Sequence, residues 1–89
     1  MREYVLNLKG LYSKDKIHAR IKSVFAFPEY YGGNLDALHD CLTDIRTPCV
    51  ITIKNADLAA PEMTDYVERL LTVFKDAADE CGKMELHIV

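Results

Sequence analysis

The sequence predicts an α/β fold, a three-stranded parallel sheet packed with three to four helices, in one domain over residues 1–89. Three observations lead there. Two short alternating runs and one β-branched run stand far apart in the chain. The stretches between them carry apolar residues at helical spacing, and strands separated by helices favour parallel pairing. The composition, 49% apolar and 28% charged, is that of an ordinary globule rather than a disordered or membrane-spanning chain.

Tyr4 to Leu8 alternates and reads as the first strand, which Lys9-Gly10 breaks. Ser13 is placed to cap a helix whose apolar positions are Ile17, Ile21, Val24 and Phe25, with Lys16, Arg20 and Lys22 on its solvated face. Pro28 stops that helix, because a residue before proline is pushed out of the α region. Tyr30-Tyr31-Gly32-Gly33 reads as a turn, and Asn34 as the N-cap of a second helix with Leu35, Leu38 and Leu42 as its buried stripe. Cys49 to Ile53 is a nearly continuous β-branched run, the pattern of a strand covered on both faces. Asn55 to Ala60 reads as a turn or one short helix. Pro61 opens a long helix whose apolar face is Tyr66, Leu70, Val73, Phe74, Ala77 and Cys81, and Gly82 stops it. Met84 to Val89 alternates again as the last strand.

No apolar run approaches the roughly 20 residues that span a bilayer. Met1-Arg2-Glu3-Tyr4 has no apolar export signal, which predicts a cytoplasmic protein, and no membrane partner is expected. Cys41, Cys49 and Cys81 are odd in number and lack Cys-x-x-Cys spacing, so reduced thiols are expected, Cys41 and Cys49 in the core. The net charge of −3 conceals an asymmetry. Residues 1–27 hold six bases against two acids, and residues 28–89 hold five against twelve. An acidic excess of this kind suits a basic partner better than a nucleic acid.

The second helix carries the unusual chemistry. Asp36, Asp40 and Asp44 recur at every fourth residue and form one stripe. Such spacing costs about 0.2–0.5 kcal/mol per like-charged pair, and aspartate toward a helix C-terminus opposes the helix dipole. Local stability therefore does not explain them. A solvated face is the plain reading; His39 within the stripe and Tyr30 and Tyr31 before it favour an interface. Asp76, Asp79 and Glu80 repeat the anomaly late in the last helix. Asp79 and Glu80 read as solvated surface, while Asp76 joins the stripe if the two helices lie side by side. The three histidines sit on different elements without metal spacing, and Gly32-Gly33 lacks a phosphate-loop pattern, so neither metal nor cofactor is expected. Asp36, His39 and Asp40 could form an acid–base set, but no nucleophile sits in a recognisable setting.

The segment Phe27 to Thr43, Phe-Pro-Glu-Tyr-Tyr-Gly-Gly-Asn-Leu-Asp-Ala-Leu-His-Asp-Cys-Leu-Thr, resembles the signature of the barstar family, intracellular inhibitors of the secreted ribonuclease barnase. The resemblance extends to the element order and to Val73–Ala77 in the last helix. It implies a three-stranded parallel sheet with helices, no catalytic activity, and a probe-like acidic face that plugs a ribonuclease active site. By position it gives interface roles to Tyr30, Asn34, Leu35, Asp36, Asp40 and Thr43, with Asp40 in a phosphate subsite. His39, Asp44 and Asp76 depart from the family's best-known member, which has tryptophan, glycine and glutamate there. With Tyr31, they complete the expected partner-binding set. The expected partner is a basic, barnase-like ribonuclease, met by a monomer. The alternatives are an immunity-type partner for another basic toxin and a small acid–base enzyme. A deep pocket at His39 would favour the enzyme; a shallow acidic face would favour the inhibitor.

Overall fold

The computed structural model describes residues 2–89; Met1 lies outside them. The chain runs β1 (Arg2–Asn7), α1 (Lys14–Phe25), α2 (Leu35–Thr43), β2 (Cys49–Lys54), two 3-10 turns (Ala56–Leu58 and Pro61–Met63), α3 (Thr64–Cys81) and β3 (Met84–Ile88). The sheet order is β1-β2-β3 and both pairings are parallel. The expected α/β class and parallel sheet are therefore present, with three α-helices.

Register explains how the sheet is covered. Tyr4, Ile51 and Leu86 lie side by side, as do Leu6, Ile53 and Ile88, on the face that meets the helices. Ile51, Ile53 and Leu6 are fully buried there beside Ile17, Ile21, Leu38, Leu42, Leu70 and Phe74. Burying a Leu, Ile or Phe side chain stabilises a fold by about 1.5–3 kcal/mol. The opposite face is open: Glu3, Val5, Glu85 and His87 are exposed, and Val50 and Thr52 are half-buried. The expectation that β2 is covered on both faces is thus corrected. Its β-branched run reflects a central strand in a two-layer fold, where neighbouring strands shield Val50 and Thr52 only from the sides.

The helix ends follow local chemistry. Ser13 caps α1, its hydroxyl accepting from Lys16 N–H at 3.2 Å. Helix α1 ends at Phe25, before Pro28 acts. Ala26 takes the left-handed conformation (φ 55°), and the Phe27 N–H donates to Lys22 O at 3.1 Å. This is the usual left-handed helix stop, here without glycine. Asn34 caps α2, accepting from Ala37 N–H at 2.8 Å. Pro61 opens a 3-10 turn that leads into α3, and Gly82 (φ 67°) ends α3 in the left-handed region. Helix α2 lies against α3, which brings its stripe beside the last turns of α3.

Candidate partner-binding surface

Helix α2 is strictly two-sided. Leu38 and Leu42 are fully buried and Leu35 packs half-buried on the core, so the helix cannot rotate without exposing leucine. Asp36 and Asp40 are exposed on the helix, and Asp44 is exposed at its C-cap with α-helical backbone (φ −81°, ψ −10°), which continues the stripe. The Asp40 side chain is 86% exposed. Carboxylates four residues apart on a helix have Cβ atoms about 5–6 Å apart. The core thus holds a short row of solvated anions in a set direction.

His39 is half-buried between α2 and α3. Its Nε2 lies 2.9 Å from Glu80 Oε2, and its Nδ1 lies 4.0 Å from Asp40 Oδ1. Glu80, read from sequence as plain surface, therefore joins this face. The signal available in the sequence was its place beside Ala77 and Cys81, which pack toward the core. Asp76 is exposed one turn earlier on α3. Thr43 is half-buried, and its hydroxyl donates to the carbonyls of His39 at 3.0 Å and Asp40 at 3.1 Å, so it is committed to its own helix.

The two tyrosines before α2 part company. Tyr30 is 86% exposed. Tyr31 turns inward: its ring packs on Phe27 with centroids 5.2 Å apart, and its hydroxyl meets His18 Nδ1 at 2.6 Å. His18, on α1, is buried at 4% exposure, and its Nε2 meets the Tyr66 hydroxyl of α3 at 2.5 Å. Burial holds the His18 pKa below its usual value against the pull of Asp15, and burial raises the Tyr31 and Tyr66 phenols.

All three cysteines are free; Cys49 is buried, whereas Cys41 and Cys81 are only half-buried. The core placement expected of Cys41 is corrected: it borders the acidic stripe, and burial first, then Asp44 and Asp40, raise its thiol pKa. A cavity of about 260 Å³ between the ends of α2 and α3 is lined by Thr43, Ile45, Arg46, Glu80, Cys81 and Lys83. It does not include Asp36, His39 or Asp40. Among the described residues no group of three or more His, Cys, Asp or Glu side chains could hold a metal ion, and no helix is long and apolar enough to cross a membrane.

A family model described as Barstar (barnase inhibitor) matches residues 1–89. The chain belongs to the barstar family. A relative from Bacillus subtilis (strain 168), named "Putative ribonuclease inhibitor YrdF", is 32% identical over 90 residues, covering 100% of this chain and 98% of that protein. Within this barstar-family chain, Asp40, His39 and Glu80 lie together on a surface built from α2 and α3, and Tyr30 stands exposed on the segment that leads into α2.

Proposed function

We propose that this protein inhibits a basic, barnase-like ribonuclease by seating the acidic face of α2 in the enzyme's active site. The observation that carries the reading is the exposed row Asp36, Asp40 and Asp44 on a helix whose other side is locked by Leu38 and Leu42. A ribonuclease site already presents Arg and Lys to receive phosphate oxyanions, and carboxylates accept the same charge-assisted hydrogen bonds. Asp40 takes the central anion position, flanked by Asp36. Asp44 continues the row, Tyr30 supplies an aromatic contact, and Asp76, Glu80 and His39 surround the row. Family membership and the inhibitor name of the Bacillus relative support this direction.

Opposite net charges on inhibitor and nuclease steer encounter, which raises association to about 10⁸–10⁹ per molar per second at low salt in favourable cases. Rapid capture suits a monomer that silences a toxic nuclease inside its own cell. The acid–base alternative has less support: Nε2 of His39 is engaged by Glu80, and Asp40 stands 4.0 Å from Nδ1, beyond hydrogen-bond distance. A nuclease cognate to this chain meets His39 where the family's best-known member offers tryptophan. Its pocket there should accept an imidazole–carboxylate pair rather than a large ring.

Competition with nucleotide tests the reading. A mononucleotide bound in the phosphate subsite of barnase should slow complex formation in proportion to its occupancy. A complex that forms equally fast on nucleotide-saturated enzyme would place the inhibitor elsewhere and overturn the proposal.

A further inference from the structure

The acidic row is held by α2, but Tyr30 stands on the nine-residue segment between α1 and α2, which contains Gly32 and Gly33 (φ 66°). Such a segment is conformationally permissive by itself. Glu29 ties it to α1 at the surface, accepting from Lys22 Nζ at 3.1 Å with its side chain 97% exposed, and Tyr31 ties it to the interior. The Tyr31 N–H donates to Pro28 O at 2.9 Å, its ring rests on Phe27, and Phe27 stacks on Phe25 at 5.3 Å. Its hydroxyl reaches His18 Nδ1 at 2.6 Å, while Nε2 of the same ring is held by Tyr66 at 2.5 Å. A neutral imidazole has one donor and one acceptor. One tyrosine must therefore donate to the ring and the other accept from it; either tautomer satisfies the pair with the two roles exchanged, and both fix the ring's orientation. Three elements, α1, the segment before α2, and α3, meet at this one buried side chain. Tyr66 is itself covered by the Lys14 ammonium, 5.0 Å from its ring centre.

We infer that His18 is a positioning residue for the partner-binding surface: by clamping Tyr31 inward it holds Tyr30 outward and sets the entry to α2. This rests on the inhibitor reading above. Ordering the segment before encounter lowers the entropy lost on binding, and a gain from preorganisation is read chiefly in the dissociation rate. The depressed pKa of His18 agrees with a neutral ring at pH 7.

Two conservative variants of the full chain separate positioning from stability. Tyr31→Phe removes the hydroxyl on the segment side and keeps the ring packed. Tyr66→Phe removes the hydroxyl on the far side of the same imidazole and leaves the Tyr31 link in place. Each deletes one hydroxyl from the network, so a purely structural role predicts the same binding for both folded variants. The proposal predicts that Tyr31→Phe raises the dissociation rate from barnase about three- to tenfold, the range for one lost hydrogen bond, with association within about twofold. Tyr66→Phe should change dissociation less. Amide order parameters of residues 30–34 should fall in Tyr31→Phe while those of β2 do not. If the parent binds and both variants dissociate at the parent's rate, or at equal rates, the positioning role is overturned and the inhibitor reading stands. If the parent itself does not bind barnase, the inhibitor reading for that enzyme fails and the positioning role fails with it, whatever the order parameters show.

Discussion

Replacing Asp40 by Ala should separate binding from folding. The Asp40 side chain is 86% exposed, and the basic group beside it is His39 Nδ1 at 4.0 Å, an ion pair only when that ring is protonated. An exposed pair of that kind contributes about 0–1 kcal/mol. Against it stand three gains. Alanine replaces a mediocre helix former, worth up to about 0.7 kcal/mol. Repulsion from Asp36 at four residues' distance is relieved, about 0.2–0.5 kcal/mol. Asp40 also lies in the second half of α2, where the dipole disfavours an anion. The hydrogen bonds that use Asp40 O, from Thr43 Oγ1 and Asp44 N–H at 3.1 Å each, are untouched by truncation. The sum is a variant as stable as the parent or up to about 1 kcal/mol more so, which is a rise of at most about 4–8 °C in Tm for a domain this small. Binding should respond oppositely. Losing one member of a desolvated charge pair costs about 2–5 kcal/mol, a range to which complexes of this family themselves contribute. That is a fall of about 30- to 5,000-fold in affinity. Thermal unfolding and ribonuclease inhibition measured on both proteins would decide it. A variant that unfolds more easily yet inhibits undiminished would refute the reasoning, because the stripe would then be structural.

Acidification should destabilise the fold through His18. Its folded pKa is depressed by burial, so between that value and the unfolded one near 6.5 the unfolded chain binds more protons; its stability contribution is full above pH 6.5 and is lost as pH falls below it. Asp15, Lys22, Cys41, Tyr31, Tyr66 and Lys14 are the titratable groups around the ring and its two partners. Urea midpoints at pH 7 and pH 5 should differ for the parent and converge in a folded His18→Gln variant. Cys49 should alkylate slowest in the native protein, being 1% exposed with its thiol pKa raised by burial, and intact-mass analysis should show all three thiols reacting once the chain is unfolded. Gly82→Ala should cost about 1 kcal/mol by chemical unfolding, since φ is 67° and nothing lies within 4 Å of the new Cβ, so the penalty is backbone alone.

The parallel sheet was legible in the sequence because its strands are short, well separated and divided by helices with clear leucine and isoleucine spacing. The caps at Ser13, Asn34 and Gly82 were legible for the same local reason: one side chain, or its absence, satisfies a helix end. Properties that depend on packing between elements were harder to read. Val50 and Thr52 have the composition of a buried strand, and only the two-layer arrangement leaves one of its faces to solvent. Glu80 reaches His39 because α2 and α3 lie together; its place beside Ala77 and Cys81 is a local signal of nearness to the core, while the pairing itself comes from packing between helices. His18 lacks metal spacing to the other two histidines, and its one sequence signal is the helical stripe it shares with Ile21 and Phe25. That stripe was the available signal that its ring points into the protein. Tyr30 and Tyr31 are adjacent and identical in type, so only the fold separates the exposed ring from the clamped one.

The central claim is tested most directly by titrating the purified protein against a fixed amount of barnase and following RNA cleavage. The account predicts a linear loss of activity that reaches zero near one inhibitor per enzyme, with an association rate that drops steeply as salt rises, because exposed charges are screened over about 10 Å at 0.1 M. Undiminished cleavage in the presence of a large excess of the folded protein would contradict it.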